Sequence, residues 1–137
     1  MMRKNICAVV IMILAAFCLT ACSGMKLAEG FDEAKVKAET QRALDFLIAG
    51  EYEECVAMMD ADMQAALSAE TLAANVEAMN EKTGAFKEYK SISVLGQTDA
   101  EGIDCAVAVV VADFEKGKIT YNVSFNQEMQ IIGLWMK

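Results

Sequence analysis

The chain has 137 residues, of which 20 are acidic and 12 are basic, and it contains neither histidine nor proline. A formal net charge of −8 gives a surface that repels nucleic acid and anionic lipid headgroups, so we predict no nucleic-acid partner. Without histidine the chain cannot form a His-based catalytic triad and lacks the commonest transition-metal ligand. We therefore predict no metal site, no cofactor and no catalytic residue.

The N-terminal stretch has the build of a secretory signal peptide. Arg3 and Lys4 form a positive start, and the nearly continuous apolar run from Ile6 to Leu19 is shorter than the roughly 20 residues that a spanning helix needs. The run closes on Leu19-Thr20-Ala21-Cys22, which resembles the lipobox of bacterial lipoproteins. The resemblance implies that Cys22 receives a diacylglyceryl group and becomes the first residue after cleavage. The alternatives are an ordinary signal followed by cysteine, or an uncleaved anchor.

This interpretation divides the chain into three parts. Residues 1–21 are the signal peptide, residues 22–30 are the lipidated cysteine with a short tether, and residues 31–137 form one domain. Cleavage removes two basic residues and no acidic one, so 10 basic and 20 acidic residues remain and the net charge becomes −10. The lipid on Cys22 would then be the membrane attachment, on the extracytoplasmic face of the cell envelope.

Two cysteines belong to the predicted domain. Cys55 lies in a helical pattern and Cys105 in an alternating one, and both are predicted to point inward. Free cysteine is among the most buried residue types, which favours two buried thiols. A disulfide is the alternative, because an exported setting permits one.

Residues 31–83 are predicted to be helical. A first helix carries an inward stripe that includes Val36, Thr40 and Leu44 and is capped by Gly50. A short helix follows over about 51–59, and Ser68 caps a third that ends near Gly84.

From Phe86 the hydrophobic period changes to two, which predicts four antiparallel strands. Helices followed by strands indicate an α+β fold, with the N-terminal helices packed on one side of a curved, cone-like four-stranded sheet. We predict a three-residue turn at Glu115-Lys116-Gly117, which pairs Phe114 with Lys118. That register has two consequences for the faces of the sheet. Beneath the helices it places Val107, Val109, Val111, Tyr121, Val123 and Phe125, and on the other face it places Ala108, Val110, Ala112, Asn122 and Ser124.

Three segments resemble the exported lipoproteins of the domain-of-unknown-function 3887 family, within the nuclear transport factor 2-like superfamily. They are residues 46–55, where a helix ends at Gly50 before a new acidic turn, residues 67–86, a capped helix that stops before an aromatic residue, and Ile132-Gly133-Leu134. The resemblance implies a cone-shaped α+β fold whose sheet wraps a pocket and often forms a homodimer. It transfers no active-site residue to this chain.

Few side chains are candidates for a site. Tyr121 and Trp135 could line a pocket mouth, since each has an apolar body and a polar tip, although core packing is the simpler interpretation. Asp104 and Asp113 border the longest strand, but alternation turns the first away from a closed pocket and places the second beyond it. Nine acidic residues and no basic one lie between Arg42 and Lys82. First-turn positions in helices account for several of them, and a face for a basic partner or divalent cations is the sharper hypothesis.

The sequence thus favours a lipid-anchored binding or interaction domain of the envelope with an unknown ligand or protein partner. A small pocket enzyme with a carboxylate base is the alternative, and a buried carboxylate facing an open polar cavity would favour it. A third hypothesis is self-association through the face that carries Ala108, Val110 and Ala112.

Overall fold

The computed structural model describes residues 26–137, so the predicted signal peptide and Cys22 lie outside the described residues. Four helices come first: α1 (Glu33–Ala49), α2 (Tyr52–Ala57), α3 (Ala61–Ala66) and α4 (Ala69–Thr83). Four strands follow: β1 (Phe86–Thr98), β2 (Asp104–Phe114), β3 (Gly117–Phe125) and β4 (Ile131–Met136). Within residues 26–137 no helix is both long and apolar enough to cross a bilayer.

The helix ends are set by the capping residues. The side chain of Asp32 accepts a hydrogen bond from the backbone N–H of Ala34 at 2.9 Å, and Gly50 ends α1 in the left-handed conformation with φ of 79°. Ser68 caps α4 by accepting from the N–H of Thr71 at 3.1 Å, as the sequence predicts. The predicted stripe on α1 is confirmed, because Val36, Thr40, Leu44 and Leu47 are all buried.

Helix α3 lies within the range predicted to be helical, but it was not predicted as a separate helix. It has six residues, none of them buried, so the sequence shows no hydrophobic period that would indicate it. Its start is fixed by Asp60, whose side chain accepts from the N–H of Met63 at 2.9 Å. Two backbone hydrogen bonds to β4 fix the position of the segment just before α3. Asp60 N–H donates to the carbonyl of Ile131, and Ile131 N–H donates to the carbonyl of Met58.

The strands form one antiparallel sheet in the order β1-β2-β3-β4. This confirms the predicted α+β fold, in which the N-terminal helices pack on a four-stranded antiparallel sheet. The core lies between the helices and the inner face of the sheet, meaning the face turned toward the helices. Its largest fully buried side chains include Leu44, Leu47, Met59, Phe125 and Ile131.

The predicted register of the β2–β3 hairpin is wrong by one residue. Phe114 pairs with Gly117 rather than with Lys118, so the turn has two residues, Glu115 and Lys116. The N–H of Glu115 donates to the carbonyl of Ala85 at 2.9 Å, and that of Lys116 donates to the carbonyl of Thr83 at 2.8 Å. The end of α4 therefore holds the turn, and such tertiary bonds override the local preference for Asn or Asp before Gly.

The register change exchanges the two faces of β2. The inner face carries Ala106, Ala108, Val110 and Ala112, all with no exposed surface, together with Tyr121, Val123 and Phe125, which were predicted correctly. Val107, Val109 and Val111, predicted beneath the helices, lie on the outer face instead, beside Asn122 and Ser124. Ala108, Val110 and Ala112 are core residues, so the hypothesis of self-association through these residues is wrong.

Candidate functional site

Trp135 is the most exposed large apolar side chain in the described part of the chain, with 71% of its surface accessible. It lies on β4, an edge strand of the sheet, and pairs with Asn122 on the outer face. An indole so exposed is a typical contact residue, because it offers a large apolar area together with one N–H donor.

A groove runs beside Trp135 between β4 and α4, with a volume of about 420 Å³. Apolar side chains of both elements form its lining, including Leu72, Met79, Leu134 and Met136. Asn75 and Lys82 provide the polar groups. A concave apolar surface with a few polar groups is the usual form of a ligand site.

The open edge of β4 borders the same groove. Lys137 and Thr120 exchange two backbone hydrogen bonds, at 2.8 and 3.1 Å. Antiparallel alternation then turns the backbone groups of Leu134 and Met136 away from β3 and toward the groove. An extended segment that entered the groove would therefore meet backbone donors and acceptors as well as apolar side chains.

Tyr121 does not share a site with Trp135. It lies on the inner face with 4% of its surface exposed, and its burial raises the pKa of the phenol to about 12. Together with Phe86, Phe114 and Asn80 it lines a separate cavity of about 170 Å³. The two predicted ligand-binding residues thus belong to opposite faces of the sheet.

A further polar contact near Tyr121 was missed by the sequence analysis. The hydroxyl of Tyr89 donates to Oδ1 of Asp45 at 2.7 Å, joining β1 to α1. Burial, followed by this hydrogen bond, raises the pKa of Tyr89 far above its usual range, so the phenol stays protonated. The two residues are 44 positions apart and no local pattern links them, so the contact follows only from the fold.

Neither predicted carboxylate candidate is enclosed by the core. Asp104 is exposed at the start of β2, where it accepts from the Thr98 hydroxyl at 3.2 Å. Asp113 lies on the outer face and forms an ion pair with Lys90 at 3.3 Å. Asp113 lies near the far end of β2, as predicted. The alternation predicted for Asp104 is wrong, because Asp104 lies two residues before Ala106 and therefore on the inner-face side of β2, at its exposed end.

The acidic residues of the helices are spread along several first turns. Glu53 and Glu54 occupy the first turn of α2, Asp62 that of α3 and Glu70 that of α4, where the helix dipole favours negative charge. Glu51, Glu53, Glu54 and Glu70 line a wide hollow with Phe46 and Tyr52. In the described range, no three Asp, Glu or Cys side chains are grouped so that they could hold a metal ion.

The comparisons with known proteins identify the family. The profile of the family described as "Protein of unknown function (DUF3887)" matches residues 41–134, more than half of the chain. The chain belongs to this family. None of the curated proteins matches it.

A solved structure shows the same fold. The NMR structure of a protein from Ruminococcus gnavus ATCC 29149 superposes with a TM-score of 0.68, covering 82% of this chain and 97% of that one. At 22% identity the likeness extends to the fold alone. The DUF3887 match includes Tyr121 and ends one residue before Trp135.

Both cysteines of this DUF3887 domain are free thiols and buried, which confirms the favoured prediction over a disulfide. Cys55 lies in the helical core, where burial raises its pKa to about 11. Cys105 is also buried, but it lies on the outer face opposite Gln97 rather than pointing inward. The difference has the same origin as the exchanged faces of β2.

The thiols give a direct prediction. In the mature chain carrying Cys22→Ser, Cys55 and Cys105 are the remaining cysteines. At pH 8 we expect Ellman's reagent to react slowly with the folded protein and to titrate two thiols after unfolding in urea, because a buried, protonated thiol is unreactive. A count of zero thiols in the unfolded chain would show a disulfide and contradict the structure.

Proposed function

We propose that this protein is a lipid-anchored lipoprotein of the cell envelope, with a nuclear transport factor 2-like domain that binds a ligand or partner on the extracytoplasmic side of the membrane. The Leu19-Thr20-Ala21-Cys22 tetrad supports the anchor. The four-stranded sheet with helices on one face supports the superfamily. An acidic surface leaves the lipid on Cys22 as the attachment.

One observation carries the binding role: the exposed Trp135 beside the groove between α4 and β4. The indole, 71% exposed, offers a large apolar area and one N–H donor, and tryptophan is enriched among the residues that dominate binding interfaces. The groove adds apolar depth next to it, and the open edge of β4 adds hydrogen-bonding groups.

The interior gives less support to the alternative of a carboxylate-base enzyme. Thr40 is the one polar or charged residue that is fully buried among residues 26–137, and its hydroxyl donates to the carbonyl of Val36 at 2.7 Å. Asp45, which accepts the hydrogen bond of the Tyr89 hydroxyl, is exposed on α1. A general base is expected in a pocket that shelters it, and these carboxylates lack that shelter.

Binding of a neutral apolar dye tests the groove. With the mature Cys22→Ser chain and Nile red, we expect Trp135→Ala to weaken binding about tenfold, equivalent to about 1.4 kcal/mol. The matched control is Ile103→Ala, because Ile103 is the other large apolar side chain exposed in the described part, at 52%. Equal affinity of the parent chain and Trp135→Ala would contradict a site at this groove.

A homodimer through the outer face of the sheet is a second proposal. With Val107, Val109 and Val111 on β2 and Leu95 opposite Val107 on β1, that face has an apolar centre. Val109 and Val111 are partly exposed, and Trp135 stands at the rim of the same face. A second copy could cover this strip and leave the core unchanged.

A further inference from the structure

The first described residues lie against the sheet, although the sequence assigns them to the tether. The backbone of Lys26 and Leu27 passes over Gly96 near the end of β1, so closely that a Cβ atom on Gly96 would overlap the Lys26 carbonyl oxygen. Leu27 and Phe31 pack against the core. The chain is therefore held by the domain from residue 26 onward.

A second contact holds the same segment. Gln127, between β3 and β4, donates through Nε2 to the carbonyl of Glu29 at 3.4 Å. Residues 28–31 form a turn, in which Phe31 N–H donates to the carbonyl of Ala28 and Gly30 has φ of 95°. Gly96 and Gln127 belong to one end of the sheet, because Gly96 pairs with Ala106 and Ala106 pairs with Phe125.

This packing shortens the tether. Only residues 23–25 separate Cys22 from Lys26, and these four steps reach at most about 14 Å. The eight-residue tether expected from the sequence would reach about 29 Å. The end of the sheet at Gly96 is thus held close to the anchored cysteine.

The sheet is long compared with that distance. Strand β2 has 11 residues, so its far end lies about 35 Å from its start at roughly 3.3 Å per residue. The near end carries the connection between β1 and β2, where Asp99, Glu101 and Asp104 are exposed. The far end carries the Glu115–Lys116 turn.

We infer that the anchor gives this domain a fixed polarity on the membrane: the connections at residues 99–103 and 126–130 face the bilayer, and the Glu115–Lys116 turn faces away. This inference rests on the proposed lipidation of Cys22. It also specifies how the groove is presented. Gly96, Ala106 and Phe125 are paired across the sheet. Met136 pairs with Tyr121, which is four residues from Phe125 along β3 and therefore about 13 Å farther from the anchored end of the sheet. The Trp135 groove therefore opens to the aqueous phase, and its partner approaches from there rather than from the lipid.

Fluorophores placed at the two ends test this polarity. Glu101→Cys and Lys116→Cys are made separately in the full-length lipidated protein, labelled, and reconstituted into phosphatidylcholine vesicles that contain headgroup nitroxide lipid. The buried Cys55 and Cys105 keep the parent protein unlabelled. A separation of about 35 Å predicts that quenching at 101 exceeds quenching at 116 at least about threefold. Equal quenching, or stronger quenching at 116, overturns the inference.

Flotation of the same vesicles distinguishes a failure of the inferred polarity from a failure of the proposed lipid anchor. Protein that floats with equal quenching at both ends contradicts the polarity alone, whereas protein that fails to float contradicts the lipid anchor as well. A glycine pair tests the cause. Gly96→Ala displaces Lys26 and is expected to reduce the difference between the two labels, and Gly117→Ala, which meets no atom within 4 Å, is expected to preserve it. An undiminished difference in Gly96→Ala would contradict the role of this contact.

Discussion

Replacing Ala108 by Asp is expected to lower the free energy of unfolding by about 3–5 kcal/mol, because it places an uncompensated charge in the core. Ala108 has no exposed surface and faces the helices between Val94 and Val123. A domain of this size has a total stability of about 5–15 kcal/mol. The variant would thus lose much of its stability, and its midpoint in urea would fall accordingly.

Val109→Asp is the matched control. It introduces the same side chain one residue later, on the outer face, where Val109 is partly exposed between Ser93 and Asn122. We expect a loss of about 1 kcal/mol, because valine favours strands and aspartate disfavours them on a propensity scale that spans about 1 kcal/mol. The three-residue turn would reverse the two results, so a milder effect at Ala108 than at Val109 would contradict the observed register.

The same control reports on the homodimer. If two copies meet through the outer face, the parent chain sediments as a dimer and Val109→Asp sediments as a folded monomer, since a carboxylate at the centre of an apolar interface is costly. A parent chain that remains monomeric at high concentration would contradict the dimer and leave the fold unaffected.

Replacing Cys22 by Ala is expected to abolish incorporation of radiolabelled palmitate. The proposed thioether requires the sulfur of this residue, and Ala offers no nucleophile. Cys18→Ala is the matched control, because it removes a cysteine four residues earlier in the predicted signal peptide and should leave the label unchanged. Palmitate label that persists in Cys22→Ala would contradict lipidation at this position.

The loss of lipid has a large effect on membrane affinity. Each buried methylene contributes about 0.8 kcal/mol, and one myristoyl chain alone gives an affinity of about 10⁴ M⁻¹, so the proposed diacylglyceryl group would anchor the chain stably. With vesicles, the lipidated mature protein is expected to float almost entirely. The mature Cys22→Ser chain is expected to stay in solution, since a net charge of −10 provides no compensating attraction.

Much of the fold was predictable because its signals are local. The period of α1 identifies Val36, Thr40 and Leu44 as core residues, and Gly50 marks the helix end through its left-handed conformation. The alternation of β3 likewise identifies Tyr121 and Phe125 as inward residues. In each case the hydrophobic period within a single helix or strand is enough to identify its buried residues.

The errors arise where distant parts of the chain decide the outcome. The turn at Glu115 and Lys116 is set by hydrogen bonds to Ala85 and Thr83, and those bonds exchange the faces of β2. On β2 valine alternates with alanine, so either face could pass for the core. In the structure three alanines and Val110 lie beneath the helices, and the other three valines lie on the outer face.

The candidate site was predicted only in part. Trp135 was singled out for its apolar body and polar tip, but its place beside α4 requires the packing of that helix on β4. Tyr121 was singled out with it and lies in the core on the other face. The packing of Lys26 and Leu27 over Gly96 was also inaccessible to the sequence, because Lys26 and Gly96 are 70 positions apart.

The most direct test of the account is the intact mass of the protein extracted from its native membrane. A lipid-anchored binding domain predicts a chain that begins at residue 22, with the mass of residues 22–137 plus an acylated glyceryl group on the first residue. An unmodified chain in the soluble fraction, or one that retains residues 1–21, would contradict it.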